Sequence, residues 1–309
     1  MPSRSGLACP ATLLAVRGAA GMILVTGASG TVGREVAARL EGHAPVRLGL
    51  RDPSQAGSAG VRFDFQDLSS YAAALRGVER VLLLRPPQLG RARRDFGPFI
   101  AAMEQAGVRH VVFLSVRGAD SNPLLPHRQI ERLLERSDLE WTHLRPNDFM
   151  QNFATVHQAD IRDQGEIWAP AGHGRTTFVD VRDVAEAAVR ALTGTGHGRQ
   201  AYTLNGPEAL TLNEVASTLS AVLGRPVAYR NPGVPAFLRH VRATGRPLSL
   251  GLVMTAVYSA ARLGLANGAE PGLELLTGRP ATPFRRFAED YAAAWQSTPP
   301  SNRRPSRPA

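Results

Sequence analysis

Apolar positions along the chain fall in short β-branched runs, separated by stretches with helical spacing. The first run, MILV at 22–25, reads as a strand buried on both faces. Glycines follow at three-residue spacing, Gly27, Gly30 and Gly33, and Val36, Ala37 and Leu40 then mark a helix over 34–40. The alternation continues with strands at 45–50, 61–65, 80–84, 111–114 and 141–144, and helices at 68–75, 97–106 and around 130–134. In the helix at 97–106, Phe99, Ile100 and Met103 share one face. Such βαβ alternation predicts an α/β fold: a doubly wound, Rossmann-type parallel sheet with helices on both faces and right-handed crossovers. Its ligand crevice lies at the carboxyl ends of the strands.

After Pro146 the rhythm changes. A helix is expected over 148–161, short strands at 166–168 and 177–179, a helix at 184–192 and a returning strand at 201–204. Thr211, with Glu214 three residues on, predicts a capping box opening a helix over 211–223. The stretch 235–295 reads as helical with Pro and Gly breaks. The expected organisation is a dinucleotide-binding domain at 22–156, to which the chain returns around 178–205, and a smaller, mostly helical substrate part at 157–295. Residues 1–21 read as a disordered extension with Met22 as the working start. A secretory leader is the alternative for that stretch, with Arg4 and Arg17 around a modest apolar run. The Pro/Arg/Ser tail at 296–309 also reads as disordered.

Composition narrows the classes. A chain of 309 residues with 43% apolar residues and no run of 18 apolar ones reads as soluble, with no membrane association. Cys9 is the single cysteine, which excludes a disulfide framework and a cysteine-based metal site and suits the cytoplasm. The net charge of +10 comes entirely from arginine, since the chain has no lysine. Apart from Arg91, Arg93, Arg94 and the tail, those arginines are scattered, so no direct nucleic-acid binding is expected. A basic surface still favours the approach of an anionic dinucleotide.

A strand, a glycine turn and a helix in that order form the context of a dinucleotide-binding site. Gly27 permits a tight turn, Gly30 lets backbone approach a pyrophosphate, and Gly33 allows close helix packing, with Ser29 and Thr31 hydroxyls beside the helix N-terminus. At the end of strand two stands Leu50-Arg51-Asp52-Pro53. Arg51 favours the 2′-phosphate of NADP over NAD. Asp52 would serve the ribose of NAD, or start the turn before Pro53. Asp64 and Phe65 end strand three and could flank an adenine; equally, Phe65 is core and Asp67 caps the next helix. Leu84, Arg85 and Pro86 end strand four, where backbone passes the ribose, and Ser115 ends strand five beside the expected nicotinamide. His127 precedes the next helix on the same side of the sheet, and a near-neutral imidazole there would suit proton transfer; a surface histidine at a helix start is the alternative. The tyrosine–lysine dyad of the main short-chain dehydrogenases is impossible without lysine, and neither G-x-S-x-G nor H-E-x-x-H occurs. No metal and no flavin is expected.

Several stretches together resemble the NmrA-like, atypical short-chain dehydrogenase/reductase family. They are VTGASGTVG at 25–33, LRDP at 50–53, HRQIERLLERSDLEWTHLRPNDFMQNF at 127–153, FVDVRDVAEAAVRAL at 178–192, YTLNGPEALTLNEVA at 202–216 and TGRPATPFRRFAEDY at 277–291. The resemblance implies that Gly27, Ser29, Gly30, Thr31, Val32 and Gly33 hold the pyrophosphate and Arg51 the 2′-phosphate. It places Asn147, Phe149 and Asn152 near a substrate pocket, with Asp180 and Asp183 in structural roles. His127 falls where isoflavone-reductase-like relatives carry a catalytic lysine, a departure that excludes a lysine-based mechanism.

The expected activity is an NADPH-dependent reduction of a small quinone-like or carbonyl substrate by direct hydride transfer. The proton would come from His127, Ser115 or solvent. A dinucleotide-sensing regulator that binds a protein partner is the alternative, and an epimerase or dehydratase a third reading.

Overall fold

The structure, a computed structural model, describes residues 21–268 and 270–296. The expectations for 1–20 and 297–309 lie outside the described residues. Seven parallel strands form the central sheet in the order β3-β2-β1-β4-β5-β6-β9. They are β1 Met22–Thr26, β2 Val46–Leu50, β3 Gly60–Arg62, β4 Val78–Leu84, β5 His110–Leu114, β6 Glu140–Pro146 and, after an excursion, β9 Gln200–Leu204. The excursion carries β7 Glu166–Trp168 and β8 Arg175–Thr176; β10 Leu210–Thr211 and β11 Ala228–Arg230 follow the sheet. β8 pairs antiparallel with β10, and β7 pairs parallel with β11.

β4 shows why the strands read as unbroken apolar runs. Val81 and Leu83 face one core and Leu82 and Leu84 the other, because successive side chains alternate across a strand buried on both sides. On the Leu82 side lie α1 Thr31–Leu40 and α6 Val181–Thr193; on the Val81 side lie α2 Tyr71–Leu75, α3 Ala92–Gln105 and α4 Pro126–Glu135. The doubly wound sheet expected from the sequence is therefore the observed one. Beyond it come α5 Gln151–Ala154 and, toward the C-terminus, α7 Leu212–Leu223, α8 Val234–Ala243, α9 Leu248–Arg262, α10 Gly272–Thr277 and α11 Phe284–Asp290. A third core built around Phe153, Phe178, Phe284, Phe287 and Trp295 holds most of these helices together. The capping box is present, with Thr211 Oγ1 accepting from Glu214 N and Glu214 accepting from Thr211 N.

The expected helix over 148–161 is broken. Met150 N donates to Val179 O and Val179 N to Asp148 O, which pulls 148–150 into a strand-like bridge. Helix begins only at Gln151, ends at Ala154, and a π-helical turn follows at Asp160–Gln164. The strand expected at 177–179 is displaced for the same reason: pairing falls at Arg175–Thr176, while Val179 bridges to Phe149. Strand three is shorter than the expected 61–65, because Asp64 O accepts from Asp67 N and turns the chain after Phe63.

Candidate active site

The sheet's carboxyl edge opens into a cavity of about 1270 Å³. The glycine turn forms one end. Gly27 adopts φ +61°, a conformation that L side chains rarely take. A Cβ on Gly33 would lie 2.3 Å from Gly27 O, so this glycine is needed for the turn to fold back on its own helix. Gly30 is the N-cap of α1 and offers no side-chain cap, and the first turn holds no acidic residue. Free N–H groups at a helix start, unshielded and unopposed by carboxylates, fit a pyrophosphate.

At the end of β2, Arg51 lines the cavity and is exposed, and its side chain makes no hydrogen bond or ion pair among the described residues. Asp52 turns away instead, its carboxylate accepting from Ser54 N and Ser54 Oγ as the cap of the following turn. Asp64 and Phe65 both line the cavity, yet Phe65 is also packed in an aromatic cluster with Phe63, Phe96 and Phe99. Asp67 caps the next turn through Ser69 N, as the reading of Phe65 as core and Asp67 as cap expected.

Leu84, Arg85, Pro86, Ser115 and His127 line the middle of the cavity. Arg85 NH1 donates to three carbonyls of its own loop, those of Pro86, Pro87 and Leu89, and Nε donates to His127 Nε2 at 3.2 Å. Because Arg85 supplies that proton, His127 Nε2 is an acceptor and the imidazole proton sits on Nδ1. Burial, with the Arg85 charge adding to it, pushes the His127 pKa down to about 4. The near-neutral histidine expected from the sequence is thus a neutral imidazole at physiological pH. Ser115 is buried, its N–H donating to Leu144 O.

The far wall brings together residues that the sequence had kept apart. Asn147 Nδ2 donates to Thr177 Oγ1 at 2.6 Å and Ala266 O at 2.8 Å, so it clamps the wall. Phe149 lines the cavity, whereas Asn152 stands behind it and donates to Asp148 Oδ1 at 2.6 Å. Asp148 itself faces the cavity and accepts a second bond, from Phe149 N, at the same oxygen. Burial raises its pKa to about 6, with the Asn152 and Phe149 hydrogen bonds pulling the other way. Tyr258 from α9 lines the cavity as well and shares a 2.5 Å hydrogen bond with His157 Nε2. Burial, and then the nearby Asp148 charge, hold the Tyr258 phenol well above its ordinary value. The sequence signal for Asp148 was its place between Asn147 and Phe149; for Tyr258 there was none, since its partner lies 101 positions earlier.

Asp180 and Asp183 have the structural roles expected of them. Asp180 caps α6 and pairs with Arg182, and Asp183 accepts from Arg279 and Thr282. Among the described residues, Glu131, Glu135 and His143 bring possible metal-ligand atoms within 4.8 Å of one another. Arg145, however, grips both Glu131 oxygens at 2.9 Å, and Arg128 bridges Glu131 to Glu135, so guanidinium groups already neutralise the cluster. No described helix is long and apolar enough to cross a membrane.

The model of the NmrA-like family matches residues 19–261. An NAD(P)H azoreductase of Xenophilus azovorans is 36% identical, over 89% of this chain and 99% of that protein. The (4-alkanoyl-5-oxo-2,5-dihydrofuran-3-yl)methyl phosphate reductase of Streptomyces griseus subsp. griseus is 39% identical over the same shares. The NADPH complex of the quinone oxidoreductase QOR2 of Escherichia coli superposes with a TM-score of 0.80 at 27% identity, covering 89% of this chain and 100% of that one.

Proposed function

The chain belongs to the NmrA-like family, and from that premise we propose that it is an NADPH-dependent reductase of a small, electron-poor conjugated acceptor, of the quinone-like or carbonyl kind. The observation that carries this reading is the continuity of the cavity. Its volume of about 1270 Å³ exceeds the roughly 300–1,000 Å³ of an ordinary ligand pocket, and it runs from the glycine turn to the α9 wall. That is room for a dinucleotide with a second molecule beside it. An azo compound, a quinone and an acylated dihydrofuranone, the compounds for which relatives are named, share an electron-poor double bond able to accept hydride.

A bound nicotinamide dinucleotide supplies the hydride. The glycine turn orients it, with Arg51 taking the 2′-phosphate, and the buried strand ends keep water from the reacting face. His127, neutral and tied to Arg85, orients through its Nδ1–H rather than acting as an acid. Asp148 can hand on a proton, since it lines the cavity and its Oδ2 accepts no hydrogen bond among the described residues. The division of the chain into a dinucleotide-binding domain and a helical substrate part follows the same reading.

Purified protein should oxidise NADPH in the presence of a quinone panel. Tight NADPH binding without turnover of any acceptor would overturn the reading in favour of a dinucleotide sensor. Arg51→Ala should weaken NADPH binding by about 10- to 100-fold, the worth of charge-assisted hydrogen bonds to a phosphate, and leave NADH binding nearly unchanged; equal losses would remove the NADP assignment.

Asp148→Asn has two readouts. The unfolded carboxyl titrates near 3.8 and the folded one near 6, so the folded state holds the extra proton between those values. Stability from this group is full below pH 3.8 and declines as pH rises toward 6. Asparagine still accepts from Asn152 and Phe149 but never ionises, so the variant should gain about 1–3 kcal/mol above pH 6 and nothing at pH 3.5. The wild-type rate should fall as pH rises through about 6, and the variant should be slower with a flat profile. A variant with the wild-type rate profile would exclude Asp148 as the proton source.

A further inference from the structure

α9 is unusual for a helix on the outside of this chain. Of its 15 residues only Arg262, the last, is charged, although the whole sequence carries 36 basic and 26 acidic side chains. Val257 and Ala260 line the cavity, and Val253 precedes them at the i, i+4, i+7 spacing of one helix face. Along that face apolar side chains run from the cavity wall into open solvent: Val257 is 42% exposed and Val253 62%. Leu252, in the adjoining row with cavity-lining Ala256, is 55% exposed. Just past the helix, Leu265 both lines the cavity and is 67% exposed. Large apolar side chains exposed in a contiguous row mark a surface that something covers. This row begins inside the cavity, which says what does.

We infer that the α9 face is a subsite for a hydrocarbon substituent of the acceptor, an alkyl or prenyl chain that leaves the cavity along Val257 and Val253 while the reducible head stays inside. The inference rests on the reductase reading and adds the substrate class: an amphiphilic acceptor with an apolar chain. A polar acceptor without a chain would leave the ramp uncovered in the complex. A chain of several carbons covers it and gains transfer free energy with each methylene removed from water.

The test is a series of quinones with one head group and side chains of increasing length, assayed below their aggregation concentrations with saturating NADPH. kcat/KM should rise by about two- to fourfold per methylene until the ramp is covered, then level off. Val253→Asp and Leu252→Asp, both outside the cavity lining and exposed, should leave the chainless head and NADPH affinity unchanged and abolish the dependence on chain length. No turnover of any member of the series, with or without a chain, would sink the reductase reading itself. Turnover of the head with no gain from the chain would sink only this inference, as would Val253→Asp variants that keep the gain. A wild-type protein that sediments as a dimer which Val253→Asp dissociates, with no chain-length effect, would assign the face to a second copy and overturn the proposal.

Discussion

Replacing Arg145 by methionine should destabilise the folded chain by about 3–5 kcal/mol, the range expected when one partner of a buried ion pair is removed. Arg145 donates from Nε and NH2 to both oxygens of Glu131, each at 2.9 Å, and the Glu131 side chain is 0% exposed. Burial alone would push the Glu131 carboxyl up, but the Arg145 hydrogen bonds and the neighbouring positive charge more than offset it and hold the group below its ordinary value. The carboxylate therefore stays ionised at neutral pH, and without Arg145 it remains buried with Arg128, which it shares with Glu135, as its remaining guanidinium partner among the described residues. Paired replacement, Glu131→Leu with Arg145→Met, should recover most of the loss, because the cost lies in the orphaned charge and less in the lost attraction. Urea unfolding of the two variants measures both quantities. A loss below about 1 kcal/mol in the single variant would mean that water reaches the carboxylate.

Gly33→Ala should abolish measurable NADPH binding. Its Cβ would stand 2.3 Å from Gly27 O and 2.9 Å from the Ala28 Cα, and backbone on both sides cannot yield as a flexible side chain would. The turn must open, and with it the row of N–H groups at the start of α1. Destabilisation of about 1–3 kcal/mol should accompany the loss, so the comparison with Gly30→Ala is decisive. There the Cβ meets Gly27 O at 3.3 Å, a contact that a shift of a few tenths of an ångström relieves. Gly30→Ala should therefore keep a near-native melting temperature, while its methyl group, in the way of the proposed pyrophosphate, should cost affinity tenfold or more. If Gly30→Ala binds NADPH normally, the phosphates do not lie over this turn.

The parts of this molecule that were legible in the sequence are those specified locally. β1 and the Val81–Leu84 part of β4 announced themselves because a parallel strand covered on both faces reads as an unbroken apolar run. The glycine turn did so because Gly27 and Gly33 answer to backbone constraints within seven residues, and Thr211 and Glu214 form a complete cap by themselves. What was not legible depends on distant partners. The helix over 148–161 was drawn from a local pattern that the bridge to Val179 overrides. His127 looked like a titrating proton donor or a plain surface histidine, and neither reading could foresee Arg85, 42 positions away, donating to it. Tyr258 belonged to a stretch readable only as helix, and its place in the cavity wall follows from packing against His157.

The far wall of the cavity has a consequence for the order in which the protein comes into being. Ala266 and Glu270 close onto Asn147, Thr177, Asn205 and Arg117, and Pro271 bridges to Leu204. During synthesis the glycine turn emerges early, and most of the sheet can assemble around it. The far half of the cavity, walled by α9 and by Ala266 and Glu270, cannot exist until nearly the whole chain has left the ribosome. A nascent chain halted before α9 would carry the glycine turn while the far side of the cavity stayed open.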